Sequence, residues 1–137
     1  LPKLIIYGVD TDIKGRGINT VKMKDIKYTK SELIFFENSL KKLLQLKKYD
    51  QKVLRNICLK SLRINQKYFP KKKFNEIIKL EKYLTNDFIV GAHSGTMIGF
   101  AYRYQKNSGQ KFKINDEKIL NLISKKLNAP IVKYLYV

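Results

Sequence analysis

The sequence predicts an α+β protein: a two-layer sandwich in which a mostly antiparallel sheet carries two amphipathic helices on one face. Three observations favour this fold. Apolar residues recur at helical spacing over residues 29–47 and 115–127. Short apolar runs of strand length lie before, between and after those helices. Residues 105–109 end in glycine and have the length of a turn that joins antiparallel strands.

Length and composition indicate one globular domain. A chain of 137 residues can bury a substantial core, and 44% of its residues are hydrophobic. We expect a single domain over residues 1–137, with strands and a basic loop in residues 1–28 and the core in residues 29–137. No apolar run has the length of a membrane span, so membrane insertion is not expected.

The first half of the chain predicts strands around one clear helix. Residues 4–9 and 18–28 read as strands, separated by a loop that contains Gly15-Arg16-Gly17. Residues 29–47 form the helix, because Thr29 and Glu32 have the spacing of a capping box. Its predicted buried stripe consists of Leu33, Phe36, Leu40, Leu43 and Leu44.

A second predicted strand and a loop follow this helix. Residues 53–64 are rich in leucine and β-branched residues and predict a long strand with a bulge near Lys60. Pro70 ends that strand, and the run Lys71, Lys72 and Lys73 is expected to project from the loop. Residues 74–84 fit a short helix or an irregular covering segment, and the helix is the preferred interpretation.

A small-residue loop on a hairpin is the first candidate for a functional site. Residues 88–90 and 96–104 are apolar runs that flank Gly91-Ala92-His93-Ser94-Gly95, and residues 112–114 form a further short strand. Residues 96–104 alternate between apolar and mixed positions, which predicts a half-buried strand with Ile98, Phe100, Tyr102 and Tyr104 on one face. Loops held by rigid strands often carry function.

The C-terminal segment predicts a helix and a last strand. The acidic residues Asp116 and Glu117 begin the helix, and Ile119, Ile123 and Leu127 form its buried stripe. Asn128 suits the left-handed cap that ends it. Residues 131–137 then form the final strand.

Charge is the strongest functional signal. Lys and Arg number 29 against 11 Asp and Glu, which gives a net charge of +18. A field of this sign suits a polyanion such as RNA, DNA or an anionic membrane surface. An AT-rich coding sequence also enriches lysine, but it does not suppress Asp and Glu. A nucleic-acid partner is therefore the preferred interpretation.

RNA fits this composition better than duplex DNA. Arginine is scarce relative to lysine, which argues against base-edge readout in a major groove. Shape recognition of folded RNA needs no such readout. Four tyrosines lie among the lysines and either stack on unpaired bases or pack the fold: Tyr49, Tyr68, Tyr102 and Tyr104.

The sequence offers little for catalysis. His93 is the only histidine, and Ser94 beside it cannot alone make a catalytic triad. Cys58 is the only cysteine, which excludes a disulfide framework within the chain and a cysteine zinc cluster. Asp10 and Asp12 form a close carboxylate pair, so a diverged intron endonuclease stays as an alternative. We expect no cofactor, no metal and no enzyme activity.

The order of motifs resembles the universal large-subunit ribosomal protein sixteen family from Thr29 to the C-terminus. The matching parts, in order, are the helix capped by Thr29, the segment ending in Phe69-Pro70 and a charged loop, the loop framed by Gly91 and Gly95, the turn at Ser108-Gly109, and the last helix and strand around Pro130. The sequence departs from the family pattern in the glycine loop, where Ala92 and Ser94 replace lysines and His93 replaces a glycine.

The resemblance implies a structural protein of the large ribosomal subunit. Such a protein binds large-subunit ribosomal RNA near the central protuberance and the aminoacyl-tRNA site, and supports subunit assembly and translation. The implied partners are that RNA, aminoacyl-site tRNA and neighbouring ribosomal proteins. The AT-rich composition favours a mitochondrial ribosome, with a plastid as second choice. A free-standing module that binds single-stranded RNA is the remaining alternative.

The predicted RNA contacts combine the glycine loop with cations of the loops and helix ends. Lys41, Lys42, Lys47 and Lys48 crowd the end of the first helix, where they compensate its dipole or hold phosphate. The full set of predicted RNA-binding residues is Lys14, Arg16, Lys41, Lys42, Lys71, Lys72, Lys73, Gly91, His93, Gly95, Arg103, Lys106 and Lys111.

Overall fold

The computed structural model describes residues 3–12, 26–92, 95–103 and 116–136. The elements in chain order are β1 (Leu4–Asp10), α1 (Lys30–Gln45), α2 (Gln51–Tyr68), α3 (Phe74–Leu84), β2 (Phe88–Gly91), β3 (Met97–Arg103), α4 (Asp116–Leu127) and β4 (Ile131–Tyr136). They form an α+β fold around an antiparallel sheet, which confirms the predicted fold class.

The N-terminal strand lies inside the sheet. The strand order is β2-β3-β1-β4, and every neighbouring pair is antiparallel. Tyr7 of β1 therefore lies between Phe100 of β3 and Lys133 of β4. β3 and β4 run in the same direction on either side of β1, and α4 connects them, which makes a split βαβ unit.

The main core lies between one face of the sheet and the pair α3 and α4. Tyr7, Phe100 and Ile98 from the sheet are fully buried there, together with Ile77 of α3 and Ile123 of α4. The prediction of a helix at residues 74–84 is confirmed. So is the left-handed cap of α4 at Asn128, whose φ is 46°.

The opposite face of the sheet is also covered near its β2 edge. Leu54 and Cys58 of α2 pack there with Phe88 and Ala101, and Leu43 of α1 joins them. β3 is therefore buried on both faces and not half-buried as predicted. It also follows that α1 does not share the face of α4, and that α3 is the helix that lies beside α4.

The predicted strand at residues 53–64 is wrong, because this segment lies inside α2. Leu54, Cys58 and Leu62 recur every four residues, so a helix turns all three inward. The carboxylate of Asp50 caps the helix by accepting from the backbone N–H of Val53 at 3.1 Å. One-sided burial at helical spacing outweighs the local strand preference of the β-branched residues.

The capping box of α1 is confirmed. The Thr29 hydroxyl accepts from the Glu32 N–H at 3.2 Å, and the Glu32 carboxylate accepts from the Thr29 N–H at 2.9 Å.

The predicted buried stripe of the same helix is wrong at three of its five positions, whereas Phe36 and Leu43 are half-buried. Leu33, Leu40 and Leu44 are 53%, 58% and 78% exposed, while Glu32 and Ser39 face inward. On the inward side, Glu32 binds side chains at the end of α2.

Some predicted elements lie outside the described residues. These are most of the strand at residues 18–28, the turn at residues 105–109 and the strand at residues 112–114. Residues 26–28 are described, and they belong to no strand. Of the helices that are described, none is both long and apolar enough to cross a lipid bilayer.

Candidate nucleic-acid interface

The predicted RNA-binding residues fall into two groups at opposite ends of the sheet. We call the first the turn cluster; it comprises Lys41, Lys42 and Arg103 of the predicted set, to which the structure adds the neighbouring Lys47 and Lys48, and it surrounds the connection between α1 and α2. The second is the loop cluster, which comprises Lys71, Lys72, Lys73, Gly91 and Gly95. It lies where loops meet at the start of β3, opposite the end that carries Arg103. Lys14, Arg16, His93, Lys106 and Lys111 lie outside the described residues.

The turn cluster is assembled around Tyr49. The guanidinium of Arg103, at the end of β3, lies 4.8 Å from the centre of the Tyr49 ring. The Tyr49 hydroxyl donates to the carboxylate of Asp87 at 2.5 Å, which fixes the ring against the start of β2. Lys47 and Lys48 directly precede Tyr49 and are exposed, so these cations and Arg103 share one corner of the molecule.

The carboxylates near the turn cluster already have partners. Glu37 pairs with Lys41 at 3.0 Å, and Asp50 accepts the capping bond from Val53. Asp87 accepts from Tyr49, and burial together with this bond raises the pKa of Tyr49 well above its usual value. The five cations of the cluster outnumber these three carboxylates, so the corner keeps an excess of positive charge.

The loop cluster is not the free basic run that the sequence predicts. Lys72 forms an ion pair with Asp12 at 2.9 Å, so it ties the loop to the end of β1. Lys73 donates to the carbonyl oxygen of Leu127 and so binds one of the last carbonyls of α4. Both side chains remain exposed, but each holds the loop in place.

Lys71 differs from its two neighbours because it is buried. Only 5% of it is exposed, so the prediction that it projects from the loop is wrong. Burial lowers the pKa of its ammonium group, because desolvation penalises the charged form.

The base of the glycine loop is fixed to the end of β1. Thr96 donates from its hydroxyl to Asp10 at 2.7 Å, and its carbonyl accepts from the Thr11 N–H at 3.1 Å. Gly91 is required by close packing, since a Cβ there would lie 2.4 Å from Cδ1 of Leu62 in α2. The residues at the two ends of the loop are therefore held, Thr96 by β1 and Gly91 by packing on α2.

The tyrosines that were candidates for base stacking serve the fold. Tyr102 is only 6% exposed and donates to the carbonyl oxygen of Leu84 at 2.7 Å. Tyr68 donates to Glu32, and Tyr49 donates to Asp87. Stacking by Tyr102 is therefore excluded in this fold, while Tyr104 lies outside the described residues.

The carboxylate pair Asp10 and Asp12 is also engaged. Asp10 accepts from the Asp12 N–H at 3.0 Å and from Thr96, and these two bonds lower the pKa of Asp10. Asp12 binds Lys72. Across the ranges that the structure describes, no group of three or more His, Cys, Asp or Glu side chains is placed to hold a metal ion.

The role of Tyr49 is the feature that sequence reasoning missed. The sequence places Lys47 and Lys48 beside it but carries no signal for its contact with Arg103, which is 54 positions away and depends on how β3 aligns with α2. Comparisons of the chain with protein-family models, with curated proteins and with solved structures found no match.

Proposed function

We propose that this protein is an RNA-binding structural constituent of an organellar large ribosomal subunit. The observation that carries the RNA-binding part is the turn cluster, in which the exposed Lys47 and Lys48 directly precede Tyr49 and Arg103 of β3 packs on the Tyr49 ring. Lysine in such a setting attracts phosphate without reading sequence.

The contacts that the acidic residues make within the fold support a polyanion as the partner. Glu32, Glu81 and Asp87 are held by side chains within the fold, and Asp50 caps a helix. The acidic side chains therefore act mainly inward, while most lysines face outward. Most of the lysines behind the net charge of +18 therefore lie at the surface.

The ribosomal setting is supported by the order of motifs along the chain. The helix capped by Thr29, the hairpin framed by Gly91 and Gly95, and the last helix and strand follow the family's order. The helix at residues 51–68 departs from it, because the family pattern has a long strand there. Binding near the central protuberance, contact with aminoacyl-site tRNA and a mitochondrial location are the finer parts of the proposal.

The test is the RNA content of the native particle that carries this chain. The tagged full-length protein is expected to sediment with the large subunit and to copurify with large-subunit ribosomal RNA in a one-to-one ratio. Recovery of the protein without that RNA, under salt conditions that keep ribosomal subunits intact, would overturn the proposal.

A further inference from the structure

Lys71 is a buried lysine that pairs with no carboxylate among the residues that the structure describes. Its backbone hydrogen bonds are made, but its ammonium group has no hydrogen bond or ion pair to any residue in the described ranges. A buried cation is unfavourable unless something compensates for its lost hydration.

The surrounding loop holds Lys71 in this position. Its N–H donates to Oε1 of Gln66 at 3.0 Å, and its carbonyl accepts from Nε2 of the same side chain at 3.0 Å. On its other side, Lys72 is paired with Asp12 and Lys73 is bound to Leu127. The backbone is thus fixed on both sides, which restrains the side chain from turning outward.

The tip of Lys71 lies at the edge of the glycine loop. A Cβ on Gly91 would be 3.7 Å from Cε of Lys71, and Gly91 itself is exposed. Among the described side chains, the one fully buried polar atom without a hydrogen-bond partner is Oδ1 of Asn86. The ammonium of Lys71 therefore still reaches the surface beside Gly91.

We infer that Lys71 and the bare backbone edge at Gly91 form a binding site for a single phosphate group. The ammonium supplies the charge and donates hydrogen bonds to the phosphate oxygens. β2 is the edge strand of the sheet, so the exposed backbone of Gly91 is open to a phosphate on the side away from β3, while Leu62 fills the space where a side chain would lie. Identifying the phosphate as part of an RNA backbone rests on the proposed function, whereas the site itself does not.

This site differs from the turn cluster in how it is built. The lysines of the turn cluster are exposed and attract any phosphate nearby. Lys71 is positioned before binding, so little side-chain freedom is lost when the anion arrives. One fixed contact of this kind sets the register of an RNA strand on the protein surface.

The experiment compares the full-length wild-type protein with Lys71→Met, which keeps the length of the stem and removes the charge. Lys79→Met, on the exposed side of α3, is the matched control. The Cε resonances of isotopically labelled lysines are followed while inorganic phosphate is added. In parallel, binding of oligouridylate RNA is measured over a range of salt concentrations, and melting curves are recorded for all three proteins.

We expect inorganic phosphate to shift the lysine resonance that is missing from Lys71→Met. We also expect this variant to melt at or above the wild-type temperature, because an uncompensated buried charge has been removed. Its log–log salt slope for RNA should fall by about one, as expected for one lost phosphate contact. Lys79→Met should show a smaller change in slope.

The outcomes separate this inference from the proposed function. A phosphate-induced shift with unchanged RNA binding assigns the site to free phosphate. If neither probe responds to Lys71, or if Lys71→Met melts well below wild type, Lys71 is a structural residue and the inference is wrong. That result leaves the copurification with ribosomal RNA unaffected.

Discussion

The phenol of Tyr68, at the C-terminal end of α2, donates a hydrogen bond to the carboxylate of Glu32 in the first turn of α1. Lys67 pairs with the same carboxylate at 3.3 Å. A residue that completes a capping box thus also joins two helices. The bond from Tyr68, followed by the one from the Thr29 backbone, holds the pKa of Glu32 at about 2.

This depressed pKa predicts an acid-sensitive step in stability. An unfolded glutamate titrates near 4.3, so Glu32 stabilises the fold above that pH and loses its contribution as the pH falls towards about 2. Urea midpoints measured from pH 7 to pH 2 should fall more steeply for wild type than for Glu32→Gln. Glu37→Gln, which removes an exposed pair, is the control. Parallel curves for wild type and Glu32→Gln would contradict the prediction.

Because leucines of α1 are exposed, we expect that replacing one of them with alanine changes the stability of the protein very little. Leu40→Ala should change the free energy of unfolding by less than about 0.5 kcal/mol, as for other surface substitutions. Ile123→Ala, in the core stripe of α4, should cost about 2–5 kcal/mol. Urea denaturation of the two variants measures both values. A loss of several kcal/mol in Leu40→Ala would mean that the stripe is buried after all.

The contrast between these two helices shows how far sequence reasoning reaches. In α4 the apolar stripe and the capping residue Asn128 agree, and the helix packs as predicted. In α1 the apolar stripe at Leu33 and Leu40 is as regular, yet the helix presents it to solvent. Periodicity identifies a helix, but it does not show which side of the helix faces the protein, since in α1 the inward side carries Glu32 bound to Tyr68.

The candidate site shows the same limit. The sequence identifies the excess of lysine, and the structure places Lys42 and Lys48 on the surface as expected. The sequence does not reveal that Lys72 pairs with Asp12, or that Lys73 donates to the carbonyl oxygen of Leu127. Those contacts join segments 54 or more positions apart, so they depend on topology that no local pattern encodes.

Gly99 lies within the sheet, where we predict that any added side chain disturbs the packing. A Cβ at this position would lie 2.5 Å from Cγ2 of Ile6 and 3.2 Å from Cγ2 of Val90. Both neighbours are β-branched and stiff, so they cannot easily move aside. Gly99→Ala should cost about 1–3 kcal/mol in unfolding free energy. Gly99→Ala should cost less in an Ile6→Ala background than in wild type, because the clashing methyl group is gone. Equal stability of Gly99→Ala and wild type would rule out the clash.

Removing the hydroxyl of Tyr102 should lower the stability of the fold without weakening RNA binding. Tyr102→Phe keeps the ring and removes the bond to the Leu84 carbonyl, which still accepts from the Thr85 hydroxyl, so the variant should lose about 0.5–1.5 kcal/mol, the net contribution of one hydrogen bond. RNA affinity of the folded variant should stay at the wild-type value, because the ring is not a stacking platform. Tyr83→Phe, on the exposed side of α3, is the matched control. A drop in RNA affinity for Tyr102→Phe at unchanged stability would restore the stacking alternative.

The turn cluster makes the most direct prediction about RNA. Lys47→Gln combined with Lys48→Gln should weaken binding to large-subunit ribosomal RNA and lower the log–log salt slope by up to about two, because each lysine that neutralises a phosphate releases counterions. The matched control combines Lys79→Gln with Lys82→Gln, which removes the same charge from α3. If the corner around Tyr49 is the interface, the first pair changes the slope more than the second. Equal slopes for the two pairs would show that the protein's overall charge, and not this corner, drives the binding.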